Sequence, residues 1–161
     1  SKMLNLASDK AAVTDKVNTL TTGGDTYIPN GLLWAWNLLS SEGPLKTAMT
    51  KAESEAKGGK KVAVLMTDGV NTLQPVDNGY YNMLDQQQNV DDTLRTLCAN
   101  VKKDGIILYT VAFAVADSNV KSILKGCASD SAKYFDASDS AGLSEAFRKI
   151  GASLQPLRLS K

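Results

Sequence analysis

The sequence predicts an α/β domain: a Rossmann-like parallel sheet with helices on both faces. Three observations carry that prediction. Two apolar runs rich in β-branched residues, KKVAVLMTDG (60–69) and IILYTVAFAV (106–115), have the composition of fully buried strands. A helical pattern follows each run, and a short strand at 133–136 with a final helix completes the series. The order from residue 60 onward is then strand, helix, strand, helix, strand, helix, which requires right-handed crossovers and parallel pairing.

The elements follow in order. Residues 8–20 (SDKAAVTDKVNTL) read as a helix capped by Ser8 or Asp9, with Ala12, Val13, Val17 and Leu20 near helical spacing. The turn cluster TTGGDT (21–26) comes next, its backbone freed by Gly23 and Gly24. A second helix runs from Pro29 to Ser40, with Pro29 or Asn30 in its first turn. Leu32 and Trp36 share one of its faces, as do Ala35 and Leu39. Trp34 and Trp36 stand about 200° apart around such a helix, so only one of them can enter the main core. Residues 41–59 form a polar, helix-prone connection that ends in Gly58-Gly59.

Beyond the first strand, residues 70–90 are polar and amide-rich and are expected to be mostly loop, a long insertion of the kind that is usually functional or mobile. A helix at 91–103 opens at Asp91 or Asp92, directs Leu94, Leu97, Cys98 and Val101 to one face, and ends at Gly105. Asp117 or Ser118 caps a short helix at 119–127. In the last helix, 140–154, Leu143, Phe147, Ile150 and Leu154 form an amphipathic stripe. PLRLSK (156–161) follows as an exposed tail or one further edge strand. The whole chain, 1–161, fits a single domain.

Composition narrows the chemistry. Hydrophobic residues make up 43% and charged residues 22%, so a buried core is expected. Lys and Arg number 18 against 17 Asp and Glu, a balance that gives no electrostatic reason for a nucleic-acid partner. There is no histidine, which excludes a Ser-His-Asp or Cys-His nucleophilic site and any imidazole-ligated zinc within this chain. The apolar runs are too short to span a bilayer, and residues 1–20 lack the apolar stretch of a signal peptide. The chain opens in a polar helical pattern, as expected for a piece of something longer whose targeting segment lies upstream.

Two clusters hold the candidate chemistry. GGDT (23–26) precedes a helix, and TDG (67–69) ends the first buried strand. In open parallel sheets ligands bind beyond the carboxyl ends of the strands. Asp68 offers a hard carboxylate there and Thr26 a neutral hydroxyl, a pairing suited to Mg²⁺ or Ca²⁺. Turn chemistry alone also explains both clusters: Asp68 would start a tight turn with Gly69, and Thr26 would cap the next helix. Cys98 and Cys127, 29 residues apart, are either two buried thiols or a disulfide. Tyr80, Tyr81 and the amide run 86–89 read as solvated loop or as a surface for a protein partner.

GGDTYIPNGLLWAW (23–36), KKVAVLMTDGVNT (60–72) and DGIILYTVAFAV (104–115) together resemble von Willebrand factor A-type (vWA) domains. LCANVKKDGIILYTVAF (97–113), ILKGCASDSAKYFDAS (123–138) and LSEAFRKIGASLQPLRLS (143–160) narrow the likeness to the C-terminal region of TadG-like proteins of Flp/Tad pilus assembly. The resemblance covers nearly the whole chain. It implies a partial vWA domain whose N-terminal strands are missing, and a metal-ion-dependent adhesion site (MIDAS) built from a D-x-S-x-S loop, a threonine and a later aspartate. Thr26 matches the threonine and Asp68 the aspartate, while the D-x-S-x-S loop belongs upstream of residue 1. A literal match at Asp136-Ala137-Ser138-Asp139-Ser140 follows the last strand, where a helix N-cap cluster explains it.

The resemblance also implies a periplasmic domain held to the inner membrane by an upstream anchor, with pilus-assembly proteins as partners. An oxidising compartment favours a Cys98–Cys127 bridge, which would contribute on the order of 3 kcal/mol. The leading expectation is a binding module without enzymatic activity. Two alternatives stand beside it: a Mg²⁺-dependent phosphatase, for which Met66 occupies the nucleophile's position, and a scaffold with a vestigial metal site. The strand at 60–66 would lack its family neighbour, so self-association through its edge is expected.

Overall fold

The computed structural model describes residues 4–21, 23–76, 80–83 and 87–155. In chain order its elements are α1 (Lys10–Asn18), α2 (Ile28–Leu39), α3 (Lys51–Ala56), β1 (Val62–Thr67), β2 (Leu73–Pro75), β3 (Tyr81–Met83), α4 (Gln87–Lys103), β4 (Ile107–Phe113), α5 (Ser118–Cys127), β5 (Tyr134–Ala137) and α6 (Ser140–Leu154). Strands β1, β4 and β5 form a parallel sheet in that order, with Val62 opposite Ile107 and Thr110 opposite Tyr134.

β4 sits in the middle, and its five central residues are buried, as the continuous apolar run predicts. Thr110 is the polar exception in that run, and its hydroxyl donates to the Leu124 carbonyl at 2.7 Å. On one face, Ile28 and Leu32 of α2, Leu94, Cys98 and Val101 of α4, and Ile123 and Leu124 of α5 pack over Ala63, Leu65 and Leu108. On the other, Ala146 and Ile150 of α6 cover Tyr109, Val111 and Ala137. Helices therefore lie on both faces of a Rossmann-like sheet.

Local chemistry fixes most helix starts and the end of α4. Asp9, Asp117 and Asp139 each accept a backbone N–H in the first turn of α1, α5 and α6. Thr50 and Glu53 make a reciprocal capping box that starts α3. Gly105, at φ +76°, allows the reversal between α4 and β4. In α2 the two tryptophans separate as the helical angle demands: Trp36 packs against the core and Trp34 stays exposed.

Several expectations are corrected. β1 is not fully buried: Ala63, Leu65 and Thr67 face the core, whereas Val64 and Met66 are 40% and 48% exposed. The cause is coverage, since α6 lies across β4 and β5 and β1 is the edge strand among the described residues. For the same reason Phe147 and Leu154 of the α6 stripe remain exposed, and the helix seats Ala146 and Ile150. α1 forms but buries no residue, leaving Val13 and Val17 exposed.

The 70–90 segment is less of a loop than its composition predicts. β2 and β3 make a short antiparallel hairpin, with Leu73 opposite Met83 and Pro75 opposite Tyr81. α4 then starts at Gln87, a full turn before Asp91. Val90 is buried in phase with Leu94, Cys98 and Val101, so the apolar stripe extends upstream of the residue read as its cap. The 156–161 tail lies outside the described residues.

Candidate functional site

The site is built from two backbone turns at the carboxyl edge of β1. Asp68 directly follows the strand and is exposed. The turn around it is closed by Thr67, whose hydroxyl accepts from the Gly69 N–H at 3.3 Å and donates to the Gly69 carbonyl at 3.1 Å. The Asp68 carboxylate takes no part in those bonds.

Thr26 lies in the segment that enters α2 and is also exposed. Its backbone N–H donates to the Thr72 hydroxyl at 2.7 Å, and its carbonyl accepts from the Thr72 and Leu73 N–H groups at 2.8 and 3.0 Å. The segments carrying Thr26 and Asp68 are thus bound to each other through the stretch Asp68–Leu73. Thr26 does not cap α2: Tyr27 occupies the N-cap position and supplies no side-chain bond. The open Ile28 N–H is taken by Asn71 Oδ1 at 2.8 Å, from 43 residues away in sequence. Neither the Thr26 hydroxyl nor the Asp68 carboxylate is spent on the turn or on the cap.

Asn71 belongs to a buried polar network that sequence reasoning missed. It is 3% exposed, and its Nδ2 lies 3.4 Å from Oδ1 of Asp91, itself 1% exposed. Oδ2 of Asp91 accepts from Asn119 Nδ2 at 2.8 Å. Asp91 is therefore an interior acceptor joining α4 to the start of α5 and to the turn after β1, not a helix cap. The signal was available in the phase of α4, because Asp91 lies one turn before Leu94 on the same inward face.

The hairpin borders this region. Tyr81 packs on Tyr27, ring centroids 5.3 Å apart. Burial, with Tyr81 as a second contributor, pushes the Tyr27 hydroxyl above its ordinary value. Tyr80, Tyr81 and Met83 are all exposed. Of the amide run 86–89, Gln88 and Asn89 lie exposed on the first turn of α4, and position 86 lies outside the described residues.

As donors, Thr26 and Asp68 suit a hard cation that retains waters. They do not make a complete cage, and among the described residues no group of three or more His, Cys, Asp or Glu could hold a metal ion. The D-x-S-x-S match at 136–140 is no substitute. Asp136 pairs with Lys121 Nζ at 2.8 Å, Asp139 caps α6, and both sit by β5 at the opposite edge of the sheet. Cys98 of α4 and Cys127 of α5 are joined in the core, with a Cα–Cα distance of 5.1 Å. Among the described residues no helix is long and apolar enough to cross a membrane.

The parallel α/β sheet places Asp68 at the carboxyl end of β1, the side of such sheets on which ligands bind. The profile of the von Willebrand factor type A domain matches residues 3–149, and the chain belongs to that family. Among proteins of curated function none matches. Solved structures share the fold. The pilus adhesin SpaC of Lactobacillus rhamnosus GG superposes with a TM-score of 0.69 at 14% identity, covering 94% of this chain and 22% of its own. The vWF domain of the type V pili tip protein Mfa5 of Porphyromonas gingivalis gives 0.68 at 15% identity, covering 97% of this chain and 77% of its own. Proximal thread matrix protein 1 of the mussel byssus, with a zinc-occupied MIDAS motif, gives 0.57 at 20%, covering 96% and 32%. The chain thus spans about a fifth of SpaC and a third of the byssus protein.

Proposed function

We propose that this chain is a protein-interaction module of a pilus system, in which Thr26 and Asp68 supply part of a MIDAS-type site for Mg²⁺ or Ca²⁺. One observation carries the reading: the Thr26 segment is hydrogen-bonded to the stretch that follows Asp68, while the Thr26 hydroxyl and Asp68 carboxylate are left out of the turn and cap bonds. The remaining ligands would come from a D-x-S-x-S loop ahead of residue 1. The bound cation would accept a carboxylate from a partner protein, and no bond would be broken. Pilus adhesin and pilus tip proteins among the structures sharing the fold support a surface or extracytoplasmic role.

The finer reading is a TadG-like protein of Flp/Tad pilus assembly, periplasmic and anchored to the inner membrane by an upstream segment, with pilus-assembly components as partners. An oxidising compartment agrees with the joined Cys98 and Cys127. The edge of β1, along which no strand pairs among the described residues, supports self-association as a further property of the chain.

The test is a calorimetric Mg²⁺ and Mn²⁺ titration of this chain and of a version extended upstream. Saturable binding by the longer protein, abolished by Asp68→Ala, is the expected result. Absence of binding in both would leave a scaffold that recognises partners by surface shape, and the metal reading would fail.

A further inference from the structure

Thr26 and Asp68 come from parts of the chain more than forty residues apart, and a shared site needs them held in fixed relation. The bonds that hold them are made by two residues with no place in the ligand set. Thr72 receives the Thr26 N–H on its hydroxyl and returns its own N–H to the Thr26 carbonyl. Asn71 takes the Ile28 N–H, which the N-cap Tyr27 leaves open. Asn71 is in turn held from behind: it donates to Asp91, and Asp91 accepts from Asn119. Asn71 and Asp91 are buried, so their bonds act without competition from water.

We infer that Asn71 and Thr72 are positioning residues that lock the Thr26 segment to the turn after Asp68, so that hydroxyl and carboxylate meet a ligand as one preset unit. The inference rests on the metal-binding reading proposed above and deepens it. All the clamp bonds use the backbone of Thr26 and Ile28, which leaves the Thr26 side chain outside the clamp. Outer partners of this kind orient ligands, and their loss typically lowers metal affinity by about 10- to 100-fold. The pattern has a directional consequence. Asn71 ties the site to α4 and α5 through the buried carboxylate, whereas Thr72 ties it only to the hairpin strand β2 that follows.

The experiment compares Thr72→Val, Thr72→Ser and Asn71→Ala. Amide hydrogen exchange is read on this chain, and Mn²⁺ titration on the upstream-extended protein. Thr72→Val keeps shape and removes the acceptor, so exchange at Thr26 should accelerate by about tenfold while the β4 amides stay protected. Thr72→Ser should restore both the protection and the Mn²⁺ affinity that the valine lowers, a rescue that a packing role would not give. Asn71→Ala should expose the Ile28 amide in the same way; if it unfolds the chain, the Thr72 pair still decides. Unchanged exchange at Thr26 in Thr72→Val would overturn the clamp. Lost protection with unchanged Mn²⁺ affinity would overturn its positioning role. No Mn²⁺ binding by the unsubstituted extended protein would sink the metal reading and the positioning role with it, while the exchange results would still report whether the clamp exists.

Discussion

Cys98 and Cys127 meet between α4 and α5, each 1% exposed, and join the two helices that cover one face of β4. Crosslinking them restricts the unfolded chain across 29 residues of separation and is expected to contribute about 3 kcal/mol. The double substitution of both cysteines by alanine should lower the urea midpoint accordingly, and reductant should destabilise the native chain but not the variant. Equal midpoints with and without reductant would mean that the bridge adds nothing to stability.

The alkaline behaviour of Tyr27 follows from its surroundings. Burial first, and Tyr81 second, raise its pKa above the ordinary 10.0. A raised folded-state value means that the folded protein holds the phenolic proton more tightly than the unfolded chain does. Its contribution to stability is complete below the unfolded value and is lost as pH rises through the folded one. Phenolate absorbance should show Tyr27 and Tyr134 both ionising later than an exposed tyrosine, with Tyr27→Phe removing one residue's share of that late phase. Tyr81→Ala should move the Tyr27 share earlier; an unchanged late phase would show that the tilted Tyr27–Tyr81 contact does not contribute to it.

The two faces of α2 give a sharper stability contrast. Leu32 is 1% exposed among Ala63, Leu65 and the α4 residues, whereas Trp34 is 43% exposed. Leu32→Ala should cost about 2–5 kcal/mol, through lost burial and the cavity left behind. Trp34→Ala should stay within about 0.5 kcal/mol. Denaturant unfolding at constant m-value distinguishes them, and comparable losses would mean that Trp34 packs on something this arrangement leaves uncovered.

β4, α5 and α6 stand within a residue or two of their expected bounds because β4 is a continuous apolar run and α5 and α6 each pair a helical period with a capping aspartate. β1 has the same apolar composition as β4, yet it lies at the edge. Composition records which residues tolerate burial and not which neighbours cover them, so Val64 and Met66 could not be told from Leu108 and Val111. Among the site residues, Thr26 and Asp68 were visible as residue types at turns. Asn71 and Asn119 were not, and Asp91 showed its inward phase on α4 but not its partners, because these roles depend on bonds spanning 20 to 43 positions. The hairpin of β2 and β3 was hidden by its length of three residues per strand.

That edge leads to the last prediction. The Ile107 N–H bonds the Lys61 carbonyl, and Val62 is paired opposite Ile107. In a parallel ladder the alternate residues then turn their backbone groups toward the other side. Val62, Val64 and Met66 direct N–H and C=O to the edge where, among the described residues, no strand pairs. The side chains of Val64 and Met66 are exposed as well, and neither a charge nor a proline blunts β1 between Val62 and Thr67. Exposed apolar edges pair with other chains unless charge or a cover prevents it. Sedimentation of this chain should therefore show concentration-dependent association, and Val64→Lys with Met66→Lys should shift it toward monomer without changing the Leu32-dependent stability. A monomer at all concentrations would show that the edge is protected; association that survives both lysines would move the contact to another surface, of which the bare apolar positions of α1 are the first to examine.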